Sequence, residues 1–259
     1  MIGMNIKQHA VVGILGCGEI GSAIKKVCHL AGFTTLVREL TYDEINGHHI
    51  DFLHVNIPEK SNIQFVKFVS NQIKTIKPKL TIVNSSVTPG TTRKIYTLTN
   101  RPIVHSPVIG VHPHLYKSIK SYFSKVIGPV NPQSLSLAKK HLSSLGLKLM
   151  IYRDAEESEA AKLLDLVYYA WNIIFCKWVN EVCIHEGWDF NNVYTRQNEI
   201  YNFGYKKLRP NVIRPILLPI KGPIGGHCTI QDTMLFHHFH KNLFTEFILD
   251  QNAKYEKTA

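Results

Sequence analysis

Along the first half of the chain, short unbroken apolar runs alternate with stretches whose apolar residues recur at helical spacing. Ala10-Val-Val-Gly-Ile-Leu15 reads as a buried parallel strand. Ile20, Ala23, Ile24, Val27 and Ala31 then mark one face of a helix. Residues 32–37 predict a second strand, 49–58 a third ending in a proline turn, and 65–76 a helix. Residues 79–84 predict a strand that runs into the hydroxyl-rich turn 85–92 and a helix beyond it. A strand end at 103–107, an edge strand within 122–130, a helix over 133–145 and a last strand over 147–152 complete this half. Such βα alternation predicts an α/β fold with a Rossmann-type, mostly parallel sheet.

The pattern changes at Asp154, which stands three residues before Glu157 in a capping-box arrangement. From Ala160 to Ile184 the helical stretch is apolar nearly all round, so it must be buried on several sides. Asp165, Asn172, Lys177, Asn180 and Glu181 interrupt it too often for a membrane span. The reading is a central helix over 156–186 that also packs against a second copy of the chain, giving a homodimer. Shorter helical pieces follow within 191–202, then a Pro-broken segment at 209–219, one last helix from Thr233 to about Leu249, and a frayed tail over 250–259. The expected domains are therefore residues 1–153, holding the sheet, and 154–259, an all-α domain built on the long helix.

Composition narrows the class. A chain of 259 residues with 44% hydrophobic and 19% charged positions fits a globular protein with a real core. The five cysteines form no CxxC pair, which argues for reduced thiols in a cytoplasm and against a disulfide or zinc scaffold. The first residues are too short and polar a lead-in to form a signal peptide. Lys and Arg exceed Asp and Glu by 30 to 19, a net charge of +11. The excess is dispersed, so it favours small anionic or sugar-phosphate ligands over nucleic acid, for which no basic helix or aromatic motif is present. His237, His238 and His240 read as the wet face of a helix, without a carboxylate or cysteine at metal-ligand spacing.

The chemistry-bearing residues gather at two glycine-rich stretches. Gly16-Cys-Gly-Glu-Ile-Gly21 lies between a strand and a helix, the context a dinucleotide turn requires. There Gly16 makes the turn, Gly18 admits the pyrophosphate and Gly21 lets helix pack on strand, with Glu19 and Ile20 opening the helix. Glu39, at the end of the second strand, is placed to bind a ribose 2′-OH, which points to NAD; Arg38 before it leaves NADP open. Asn56, Pro58, Ser85, Ser86, His105 and Ser106 fall at strand ends, where ligands of open parallel sheets bind. Each by itself is also a common turn or capping residue. The second stretch, 221–232, sets Cys228 behind Gly225, Gly226 and His227, with Asp232 four residues on. A thiol on such a turn is a candidate nucleophile.

Together these motifs resemble the UDP-glucose/GDP-mannose 6-dehydrogenase family. Gly16 to Gly21 is similar to its NAD turn, and Ser85-Ser-Val-Thr-Pro-Gly-Thr-Thr to its Ser-Thr-Val-x-Pro-Gly-Thr segment. Residues 158–163 and 172–181 resemble two parts of its central helix, and Gly225-Gly-His-Cys-Thr-Ile-Gln-Asp232 resembles its catalytic segment. The resemblance implies oxidation of a sugar CH2OH through an aldehyde, with Cys228 as nucleophile, Lys162 stabilising the oxyanion and Asp232 assisting water. It implies NAD contacts at Gly16, Gly18, Glu19, Ile20, Gly21, Glu39, Asn56, Pro58 and Ser86. His105, Ser106, His112, Asn172, Gly225 and His227 become candidate substrate-binding residues, with His114 and Lys117 beside them. Three departures stand out: Leu166 takes the place of an Asn, no carboxylate follows Pro107, and the chain stops soon after Asp232. The last leads to the expectation that no second nucleotide-binding domain follows, and that the substrate is smaller or is brought by a partner chain. Two other functions stay open: a single-hydride enzyme like the 6-phosphogluconate and β-hydroxyacid dehydrogenases, with Lys162 as acid/base, and a cofactor-binding protein without catalysis.

Overall fold

The computed structural model describes residues 10–226 and 228–257. It divides into two compact units, Met1–Lys162 and Leu163–Ala259.

The first unit is a seven-stranded sheet in the order β2-β1-β3-β4-β5-β6-β7. Its strands are β1 (Val11–Leu15), β2 (Thr34–Arg38), β3 (Phe52–Val55), β4 (Leu80–Val83), β5 (Ile103–His105), β6 (Lys125–Pro129) and β7 (Leu149–Ile151). The strand order reverses at β1, which has β2 on one side and β3 on the other, both parallel. That reversal opens the crevice in which ligands of this architecture bind. Short, mostly apolar strands such as Leu80–Val83 are buried on both faces, as a doubly covered parallel sheet demands.

Side-chain parity divides the core into two layers. On one face Val12 and Ile14 pack with Ala23, Ile24, Val27 and Cys28 of α1 (Glu19–Leu30) and with Ala138 and Leu142 of α5 (Pro132–Ser144). On the other, Leu15, Leu53 and Val55 meet Phe65, Val69 and Ile73 of α2 (Asn62–Ile76) and Ile95 of α3 (Thr91–Thr99). A short turn, α4 (Leu115–Lys117), continues as a π-turn over Ser118–Tyr122 before β6.

The expected edge strand near 122–130 is interior instead. β6 pairs antiparallel with β5 and parallel with β7, and β7 forms the edge. Pro129 sits in the last pair of the antiparallel ladder, where its missing N–H is tolerated.

The long helix α6 spans Ala155–Glu186, 32 residues. Asp154 Oδ1 accepts the Glu157 N–H at 2.9 Å, while Glu157 reaches back to the Arg153 N–H rather than to that of Asp154. Within the second unit, Val167, Ala170 and Ile174 of α6 pack with Ile224 and Ile248. A π-turn (Asn191–Arg196) leads into α7 (Gln197–Leu208). The single last helix of the sequence reading is two, α8 (Cys228–Phe239) and α9 (Leu243–Lys257). Asn242 makes the break: its side-chain oxygen accepts the Thr245 N–H at 3.0 Å and starts α9 anew. The tail expected to fray is helical through Lys257, anchored by buried Ile248 and Asn252.

Candidate functional site

The turn after β1 is shaped by its own packing. Gly16 has φ +86, and its N–H donates to Arg38 O at 3.0 Å. A Cβ at Gly21 would stand 1.9 Å from Gly16 O, so only glycine allows α1 to lie this close to β1. At Gly18, by contrast, a Cβ would meet nothing within 4 Å. No side chain caps the start of α1. An open space at Gly18 and an uncapped helix start suit a pyrophosphate. Glu39, just past β2, accepts the Cys17 N–H and so stands at the lip of the same turn. Arg38 is engaged elsewhere, with Asp43 at 2.8 Å and with Gln72.

Among the other residues singled out from the sequence, Ile20 packs partly into the core. Glu19 meets His112, with Oε2 2.6 Å from Nδ1, beside a cavity of about 340 Å³ that also includes Lys26 and Tyr116. Thus two residues assigned to different ligands stand together. Asn56 donates to Gly16 O at 3.2 Å and holds the turn from below. Pro58 is exposed and Ser86 half-buried. His105 and Ser106 are fully buried. His105 bonds Ser158 Oγ and Ser85 O, and Ser106 donates to Val126 O. Both are committed to the fold, and the structure does not offer them to a ligand. Burial, the largest cause, drives the His105 imidazole down to about 3, and the Lys162 charge acts in the same direction. Lys162 itself is half-buried on α6, at the end of the first unit.

The hydroxyl-rich turn is occupied by the chain itself. Glu59 accepts from Thr88 and Thr91. Glu159 takes the Gly90 and Thr92 N–H groups at 2.6 and 2.8 Å. Burial raises the Glu159 carboxyl to about 7 against the pull of those bonds. The first N–H groups of α3 are therefore taken by a side-chain carboxylate, whereas no side chain caps the start of α1.

In the second unit, Cys228 is the exposed first residue of α8, where the helix field favours an anion. Asp232 follows one turn later on the same helix and is buried. Gly222 and Gly226 have φ +76 and +80. At Gly225 and Gly226 a Cβ would meet nothing within 4 Å. The segment is tethered at its start, where Lys177 of α6 donates to Ile220 O and, at 2.6 Å, to Gly222 O. Asn252 of α9 accepts the Ile224 N–H at 2.7 Å. Asn172 is half-buried, and its amide donates to Tyr168 O. His227 lies outside the described residues.

Sequence reasoning missed a buried polar group beneath the first turn: His54, Asn84, Lys125 and His141, each at most 3% exposed. One signal was available, since a histidine inside the apolar run 52–55 must find a partner once buried. Cys28 joins them, and the ligand-type atoms of Cys28, His54 and His141 lie within 4.8 Å of one another.

No protein-family model matches the chain. It is 27% identical over 169 residues to a UDP-N-acetyl-D-mannosamine dehydrogenase of Methanococcus maripaludis, a match that covers 62% of this chain and 36% of that protein. The chain thus spans well under half the length of such curated relatives. Among solved structures, a UDP-D-ManNAc dehydrogenase of Pyrococcus horikoshii shares the fold with a TM-score of 0.77 at 16% identity, over 95% of this chain and 68% of that one. A 3-hydroxyisobutyrate dehydrogenase of Mycobacterium tuberculosis shares it with a TM-score of 0.68 at 14% identity, over 96% of this chain and 94% of that one. The Rossmann-type architecture read from the sequence is the fold found, and the curated relatives are nucleotide-sugar dehydrogenases. Among the described residues no helix is long and apolar enough to cross a membrane.

Proposed function

We propose that this relative of the nucleotide-sugar dehydrogenases is an NAD-dependent dehydrogenase that oxidises the primary alcohol of a sugar-nucleotide-like substrate. The observation that carries the proposal is the turn at Gly16–Gly21: open at Gly18, uncapped at α1, and flanked by Glu39 at the end of β2. A nicotinamide dinucleotide held there supplies the hydride acceptor. The chain's own residues would bind it: the α1 N–H groups the pyrophosphate, and the second carboxylate oxygen of Glu39 the adenosine ribose. Engagement of Arg38 with Asp43 and Gln72 favours NAD over NADP, because no free guanidinium then faces a 2′-phosphate.

The further step assigned to Cys228 is covalent. Loss of one hydride to NAD+ and of the hydroxyl proton to solvent turns the alcohol into an aldehyde, and the Cys228 thiolate adds to its carbon while the oxygen takes up a proton, forming a thiohemiacetal. Loss of a second hydride, to a second NAD+, gives a thioester, and water cleaves it to the acid and the free thiol. Lys162 is assigned the developing oxyanion and Asp232 the hydrolytic water. Exposed Tyr168, Tyr169, Phe175 and Trp178 on α6 support a homodimer through that helix.

The test is stoichiometry with a panel of UDP-sugars. Two NADH per acid formed, falling to aldehyde-level or no turnover in Cys228→Ser, is the expected result. One NADH per substrate, unchanged in Cys228→Ser, would sink the covalent step and leave a single-hydride dehydrogenase. Dinucleotide binding without turnover of any alcohol would favour a non-catalytic protein.

A further inference from the structure

The buried group beneath the first turn has an internal logic that fixes every proton in it. Asn56 Nδ2 faces three backbone carbonyls: Gly16 O at 3.2 Å, His54 O at 3.2 Å and Leu15 O at 3.5 Å. An amide oxygen in that place would be repelled by all three, so the NH2 must be there and Asn56 Oδ1 must point away. That oxygen meets Asn84 Nδ2 at 2.9 Å, which makes Asn84 the donor. Lys125 agrees independently, because its ammonium donates to Asn84 Oδ1 at 2.9 Å from the opposite side. Its other protons go to Ser106 O and, at 3.1 Å, Pro107 O. The second Asn84 proton points at His54 Nδ1, 3.1 Å away, so that nitrogen carries none. His54 is then protonated at Nε2 and donates to His141 Nε2 at 3.0 Å. His141 must carry its proton on Nδ1, the one buried ring nitrogen of the pair with no partner.

We infer that Asn84 is a positioning residue for the glycine turn, the hub of a one-way amide–imidazole relay that starts at Lys125 and leaves Asn84 by two branches, one through Asn56 to the carbonyl of Gly16 and one through His54 to His141. Its effect on dinucleotide affinity rests on the function proposed above; the direction of the relay does not. Both imidazoles must be neutral for the relay to exist. Burial secures this, driving His141 down to about 3 and His54 well below its ordinary value. Phe52 holds the far end, its ring stacked on His141 at 3.9 Å between centroids. The same logic excludes a metal ion shared by Cys28, His54 and His141. A metal on His54 Nε2 would force the proton to Nδ1, donor against donor with Asn84. Asn84→Asp should reverse the chain. A carboxylate only accepts, so His54 would carry its proton on Nδ1 and take one from His141 at Nε2. Asn56 would lose its donor and be driven to turn its oxygen towards the Gly16 carbonyl.

Nitrogen-15 NMR of the histidines in the full chain, without ligand, reads the tautomers directly. His54 protonated at Nε2 and His141 at Nδ1 is the expected result. The opposite tautomers, a charged imidazole at neutral pH, or one equivalent of Zn2+ bound and lost in Cys28→Ser would each overturn the relay. In Asn84→Asp the His54 proton should move to Nδ1. The Kd for NAD should rise about tenfold or more, the usual effect of a buried group left without its partner. Should that variant fail to fold, Asn84→Ser, too short to reach Asn56, carries the same test with a rise of about tenfold. A folded variant with unchanged Kd overturns the positioning role. Wild-type protein that binds no dinucleotide sinks the proposed function instead, and leaves the relay to be decided by the NMR spectra.

Discussion

The two glycine-rich turns of this protein hold the same residue type for different reasons. At Gly16–Gly21 the chain itself fills the space a side chain would need, most severely at Gly21, where a Cβ would approach Gly16 O to 1.9 Å. At Gly225 and Gly226 that space is empty to 4 Å. The first turn is glycine-rich because the fold closes on it, leaving only Gly18 for a ligand. The second is open: around Gly225 and Gly226 the space a side chain would take is unfilled, and the Cys228 thiol beside it is exposed.

The largest expected effect sets the two turns apart by acid. The first lies above a core with His54, His105 and His141 held neutral by burial, His105 and His141 down to about 3. The unfolded chain takes up protons on these rings below their ordinary value of 6.5 and the folded chain does not. The share of stability that these rings contribute is therefore complete above 6.5 and falls as pH drops towards 3. Glu159 opposes this: raised from 4.5 to about 7, it gains stability as pH falls through that window. One carboxyl offsets only part of the loss from three imidazoles. Hydrogen exchange followed from pH 7 downward should show amides of β3, β5 and α5 losing protection before those of α8 and α9. The reverse order would break the comparison.

Next in size is Gly21→Ala. Backbone, not a movable side chain, stands in the way, so a loss of about 3 kcal/mol in thermal or urea unfolding is expected, together with weaker NAD binding. Gly225→Ala is the sharpest contrast and the smallest structural effect, within about 0.5 kcal/mol of wild type. Turnover should nevertheless fall, because the added methyl enters the space before Cys228. Full activity in Gly225→Ala would mean that nothing approaches the second turn closely.

Most of the sheet was legible because its strands are short apolar runs closed by turn residues, and the glycine turn because strand and helix flank it. What escaped shares a cause. β6 was misjudged as an edge because its place is set by β5 and β7 on either side, which no local pattern encodes. The division between α8 and α9 rests on one side chain, Asn242, in an otherwise continuous helical pattern. The His54–His141 pair joins residues 87 positions apart, and no local periodicity encodes such a meeting. The candidate site was legible as residue types and less so as roles. His105 and Ser106 stand at strand ends as the pattern predicts, yet both are used by the fold itself.

The first turns of α6 carry a last consequence. Glu159 caps α3, Ser158 completes His105, Glu156 pairs with Arg93, and Gly128 is glycine because Ser158 lies where its Cβ would be. The sheet therefore cannot be parted from the helix at Arg153, although the strand pattern ends there. A chain cut after Arg153 should fail to give a cooperative melt, and one cut after Lys162 should keep it. In evolutionary terms, any recombination that hands this sheet to a new helical partner must bring the opening turns of α6 along with it.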